Sequence, residues 1–166
     1  IYTREDDMRS GQYRPMSINR LQGAIDESGF PSAWSHDIVI QSIFPGDMFA
    51  TEGAAAGFPY AIPNRRVTFR DPGIRIPVFT WRSVGASHNG FVVQSFIDEL
   101  AALGGQDPLA VRLRLLSQSN DPNAARHAAV LQDVAMRSGF ADAPPADERV
   151  VLQRLPGVQP PQEVGE

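Results

Sequence analysis

The run FTWRSVGASHN (79–89), followed by the apolar-periodic stretch Phe91 to Leu103, constrains this chain more than any other segment. Ile76 to Thr80 predicts a short strand, Trp81 to Asn89 a small-residue turn, and the four-residue spacing of Val92, Phe96 and Leu100 a helix. A strand that feeds a helix through such a turn makes an anion site, because the first helical amides have no intrahelical partner and lie at the positive end of the dipole. Arg82 adds a permanent charge and a planar fork of donors.

Upstream, residues 13–26 and 34–44 have strand-like content and are separated by Glu27-Ser28-Gly29-Phe30-Pro31, so they predict an antiparallel hairpin. In the first strand Met16, Ile18, Arg20 and Gln22 share one face; Ser17, Asn19, Leu21 and Gly23 share the other. Residues 45–63 carry prolines, glycines and three consecutive alanines without a sustained period, which predicts a loop or a short helix in a loop, of the kind that lies over a functional site or is shaped by a missing neighbour. Val67 to Phe69 is a further short strand. Downstream, Gly104-Gly105 stops the first long helix, Asp107-Pro108 opens a second, and Asp121-Pro122 opens a third that runs to Gly139. The fold class expected is α+β, with antiparallel or mixed strands followed by about three helices.

At 166 residues and 42% hydrophobic content the chain can bury a core of its own. The net charge of -4, with only one basic doublet at Arg65-Arg66, argues against a nucleic-acid partner. No run approaches the roughly 18 apolar residues of a transmembrane helix. The absence of cysteine excludes disulfides and iron–sulfur clusters ligated by this segment. Ile1 is not an initiator methionine and no signal sequence follows it, so the expectation is a piece of a longer chain.

The ordered segments TREDDMR (3–9), Glu52-Gly53, PYAIPN (59–64), TWRSVGASHNGFVVQSFIDELA (80–101) and DPLA (107–110) resemble the molybdopterin-binding large subunit of isoquinoline 1-oxidoreductase and related aldehyde dehydrogenases, in the xanthine dehydrogenase and aldehyde oxidase family of molybdenum hydroxylases. The likeness runs from Ile1 to about Phe140. It implies a partial cofactor-binding domain over 1–140, with 141–166 an irregular tail. It further implies an enzyme that hydroxylates aldehydes or N-heteroaromatics with water-derived oxygen, a molybdopterin cytosine dinucleotide cofactor, and an iron–sulfur partner subunit carrying a 2Fe-2S cluster. Carried over by position, Trp81, Arg82, Ser83, Val84 and Gly85 would line the cofactor pocket, Trp81 through its backbone amide and Arg82 through its side chain. The wider family has Phe-Arg-Gly-Phe-Gly where this chain has Trp-Arg-Ser-Val-Gly, which points to the isoquinoline branch. On this reading the fragment alone is inactive.

Plainer readings compete at each site. An arginine after a strand is more often a surface residue. Ser87 is expected to cap the helix while His88 packs or faces solvent, since no second group offers a proton relay; the sharper alternative places His88 near substrate or cofactor. Ser35-His36-Asp37 has the residue types of a hydrolase triad, but neighbours on a strand point to opposite faces. Glu5-Asp6-Asp7 reads as a solvated or Arg-paired turn, and Asp98-Glu99 cannot form a carboxylate dyad because helical neighbours diverge. Glu166 follows Val-Gly as the family's general base does, a match too short to carry a role. The rival for the whole chain is a noncatalytic scaffold or interaction domain, with a hydrolase a distant third.

Overall fold

The computed structural model describes residues 1–44 and 48–140; the tail expected over 141–166, with Glu166, lies outside the described residues. Two compact units divide the chain, residues 1–131 and 132–166. The first holds a three-stranded mixed sheet and the helices that pack on it.

Helix α1 (Arg4–Ser10) stands where an acidic turn was expected. Thr3 accepts from the Asp6 amide while the Asp6 carboxylate accepts from the Thr3 amide, a reciprocal cap that nucleates the helix. The expected hairpin forms from β1 (Ser17–Ile25) and β2 (Pro31–Ile40), antiparallel, with Leu21 opposite His36 and Gly23 opposite Trp34. Pro31 is admitted because it is the first residue of its strand. The face of β1 bearing Ile18, Arg20 and Gln22 is exposed, and the Asn19 and Leu21 face turns inward.

β2 is the central strand and buries every second side chain: Trp34, His36, Ile38 and Ile40. β3 (Asn64–Arg70) lies parallel to it, pairing Trp34 with Arg65 and Ile38 with Phe69. A parallel neighbour needs a long crossover, which accounts for the connection before β3; its described residues include a 3-10 turn at Met48–Thr51.

Two further expectations are corrected. Ile76 to Thr80 is not a strand: it makes one isolated bridge, Val78 to Tyr13, in which the Tyr13 amide donates to Pro77 O (2.8 Å) and the Phe79 amide to Tyr13 O (3.0 Å). Pro77 has no N–H with which to extend the ladder. The long helix also starts earlier than expected. α2 (Val84–Leu103) takes Ser83 as its N-cap residue, so Ser87 lies inside the helix, where its hydroxyl donates to the Val84 carbonyl.

Gly85, Asn89, Val93, Ile97 and Ala101, each four residues apart, form the buried stripe of α2, with Leu100 beside them. That stripe packs on the inward face of the sheet, where Trp34 meets the rings of Phe58 and Phe96 at 5.4 and 5.1 Å. Gly104 and Gly105 end the helix as expected, Gly105 at φ 63° and the Gln106 amide donating back to Ala101 O. Gly104 also lies flush against Gly29 in the hairpin turn, where a side chain on either would strike the other's carbonyl.

α3 (Pro108–Ser117) opens with Asp107 accepting from the Ala110 amide at 2.8 Å and with proline in the first turn. Arg112 ties α3 to α2, donating to the Gln94 side chain and carbonyl and pairing with Asp98. The third expected helix is α4 (Ala124–Ser138), beginning after a turn in which Asp121 accepts from the Asn123 amide. Among the described residues no helix is long and apolar enough to cross a membrane.

Candidate functional site

The turn at 81–85 is built from unusual backbone. Ser83 and Val84 both have positive φ, 69° and 38°, and Val84 is β-branched, for which that region is costly. The bend is closed by the Val84 amide donating to Trp81 O at 2.8 Å, and the Ser83 side chain makes no cap, so among the described residues the amide-rich end of this 20-residue helix has no side-chain cap. Gly85 follows because nothing larger fits: a Cβ there would collide with the Phe49 carbonyl.

These residues wall a small cavity of about 20 Å³, lined also by Arg14, Ile40, Phe49, Ala50 and His88. Of the five residues singled out in the sequence, Trp81, Val84 and Gly85 are on its lining. Arg82 and Ser83 are exposed beside it. Phe49 and Ala50, from the stretch before β3, form one side of this cavity.

Two neighbours escaped the sequence reading. Asn89 is fully buried and its side-chain amide donates to Ala50 O and Glu52 O, both at 2.9 Å, fastening the 50–52 segment to α2. An asparagine at the buried period of an otherwise apolar helix was the available signal. Arg14 reaches across to donate to the Ser87 hydroxyl, a contact between residues 73 apart that no local pattern announces.

Both histidines near the cavity are held neutral at pH 7. Burial pushes His36 down to about 4, with Asp37 opposing and His88 adding to the effect; its Nε2 lies 2.8 Å from Asn19 Oδ1. Burial likewise lowers His88, the Ala50 carbonyl opposing and the Arg14 guanidinium assisting. The triad-like Ser35-His36-Asp37 is dispersed as its strand period requires: His36 turns inward, while Ser35 and Asp37 both contact Arg66 on the other face. Asp98 is occupied by Arg112. Among the described residues no three His, Cys, Asp or Glu side chains gather as a metal-ligand set.

No family model matches the chain. It is 30% identical over 136 residues to a probable xanthine dehydrogenase component of Bacillus subtilis, covering 75% of this chain and 17% of that protein. It is 26% identical over 151 residues to the beta chain of isoquinoline 1-oxidoreductase from Brevundimonas diminuta, covering 84% and 19%. A 66-residue stretch is 41% identical to a nicotinate dehydrogenase component of Pseudomonas putida, covering 40% and 5%. These likenesses support the molybdenum hydroxylase family, at low identity. The chain thus spans less than a fifth of the length of each relative, and all three are named as subunits of dehydrogenases or oxidoreductases.

Proposed function

We propose that this chain is part of the cofactor-binding large subunit of a molybdenum hydroxylase, in which residues 1–140 supply one wall of the cofactor pocket. The substrate class is an aldehyde or N-heteroaromatic, hydroxylated with water-derived oxygen, and an iron–sulfur small subunit with a 2Fe-2S centre takes the electrons. A bound molybdopterin cytosine dinucleotide would supply the two-electron redox chemistry. Trp81, Arg82, Ser83, Val84 and Gly85 would hold it: Trp81 through its backbone amide, Arg82 through the charge of its side chain, and Ser83 to Gly85 by shaping the bend. The chain alone is then inactive, because the remaining walls lie in the rest of the parent protein.

The observation that carries this reading is the conjunction, at one uncapped helix start, of positive-φ backbone, a glycine with no room for a side chain, and a cavity lined by the same residues. A donor-rich helix start with the Arg82 side chain exposed beside it suits an anionic cofactor that the rest of the parent protein would enclose. The test is molybdenum and pterin analysis of the protein produced with its flanking sequence in a host that makes the cofactor. Near-stoichiometric molybdenum is expected, and Arg82→Ala should lower it about tenfold, the worth of one strong charge-assisted hydrogen bond. An intact, folded protein with undetectable molybdenum overturns the reading and favours the noncatalytic scaffold.

A further inference from the structure

A second and far larger opening, a cleft of about 700 Å³, lies within residues 1–131. Its walls come from Gly53 to Tyr60 in the connection before β3, from Gly90 to Gln94 on α2, and from Asn123 to Leu131 at the start of α4. That volume is in the range of small-molecule sites. The cleft shares no lining residue with the cavity at the Trp81 bend.

Its polar groups are one-sided. No Asp or Glu lines the cleft, in a chain whose net charge is -4, whereas Arg126 and His127 do. Both are exposed, and among the described residues the Arg126 guanidinium makes no ion pair or hydrogen bond. Gln94 adds a donor held in advance. Its Oε1 accepts from the Tyr60 hydroxyl and from Arg112 Nε, both at 3.0 Å. A guanidinium N–H only donates, so the oxygen end of the amide is fixed by its partners. Arg112 also donates to the Gln94 main-chain carbonyl at 2.9 Å, so the residue is anchored at both ends. The amide nitrogen of this cleft-lining side chain is left with both hydrogens unpaired. Around these donors the wall is bare or apolar. Gly57 and Gly90 have nothing within 4 Å of where a Cβ would stand, and Val93, Val130 and Leu131 present hydrocarbon.

We propose that this cleft is a binding site for a small organic carboxylate. Arg126 pairs with the carboxylate, for which its planar fork of donors is matched. The Gln94 amide donates to an acceptor of the ligand, and the ligand's apolar body lies against Val93, Val130 and Leu131. The site is independent of the cofactor reading and stands or falls without it.

The plain alternative is a solvated cleft, and calorimetric titration of the protein with its flanking sequence separates the two. Benzoate is the probe, benzamide its neutral analogue and inorganic phosphate its purely ionic one. Wild type should bind benzoate saturably with a Kd of order 1 mM, and benzamide about tenfold more weakly for want of the charge-assisted pair. Gln94→Glu keeps an acceptor for both Tyr60 and Arg112 but replaces the donor with a charged oxygen. It should weaken benzoate at least about tenfold without lowering the unfolding midpoint. Arg126→Gln should cost about tenfold, while Arg75→Gln, an exposed arginine outside the cleft, should stay within about twofold. Absence of saturable benzoate binding overturns the proposal, as does equal affinity in wild type, Gln94→Glu and Arg126→Gln. Benzamide or phosphate binding as tightly as benzoate overturns the carboxylate class.

Discussion

The two halves of α2 are made for different ends. From Val93 to Leu103 the helix is conventional: Val93, Ile97, Leu100 and Ala101 are buried against the sheet, and the end is closed by Gly104 and Gly105. From Val84 to Gly90 the same helix starts on two positive-φ residues without a side-chain cap, and buries both Asn89 Oδ1 and His88 Nε2 without partners. Unmet polar groups and backbone strain persist only where the surrounding structure holds them, and they gather at functional sites. The C-terminal half supplies the stability and the N-terminal half spends it.

That contrast can be broken or sharpened by substitution. The largest effect belongs to the packed half: Ile97→Ala should cost about 4 kcal/mol in urea unfolding, since Ile97 is wholly buried in the core. A loss below about 1 kcal/mol would mean that this half is not the anchor. Gly85→Ala comes next, at about 3 kcal/mol, because its Cβ meets backbone that cannot rotate away. Acid should destabilise the fold by a similar amount. His36 titrates at about 4 when folded and near the ordinary 6.5 when unfolded, so between these values only the unfolded chain takes up the proton. Stability is therefore complete above pH 6.5 and declines as pH falls toward 4, by up to about 3 kcal/mol; His36→Gln should flatten that slope, and an unchanged slope would assign it to other groups. The smallest effect has the opposite sign. A side chain on Gly90 meets nothing within 4 Å, so Gly90→Ala should raise stability by about 1 kcal/mol. Measured side by side, Gly85→Ala and Gly90→Ala test whether the site edge, rather than glycine in a helix generally, sets the cost.

Much of the fold was legible because it depends on neighbours in sequence. The hairpin followed from its turn residues, the end of α2 from Gly104-Gly105, and the start of α3 from Asp107-Pro108, each a local backbone device. The errors fell where local signals compete. Thr3 and Asp6 cap a helix only as a pair, which a reading of Glu5 to Asp7 as charges alone passed over. Ser87 looked like a cap because Ser83 must adopt a left-handed conformation to take that place, and propensity disfavours it. Val78 looked like a strand centre, but its one partner, Tyr13, lies far away in sequence and the pairing goes no further.

The sequence by itself determined most of the strands and helices of the core, and that a turn after Trp81 opens a helix, though not that the helix begins as early as Val84, because spacing, caps and glycines act over a few residues. Only the tertiary structure decided what faces that bend. Phe49, Ala50 and Arg14 arrive from distant parts of the chain, and their arrival turns His88 from one more polar residue into a cavity-wall residue whose Nε2 is buried without a partner. The physical reason is that burial and hydrogen-bond satisfaction are properties of surroundings: no residue type carries them until the chain has closed around it.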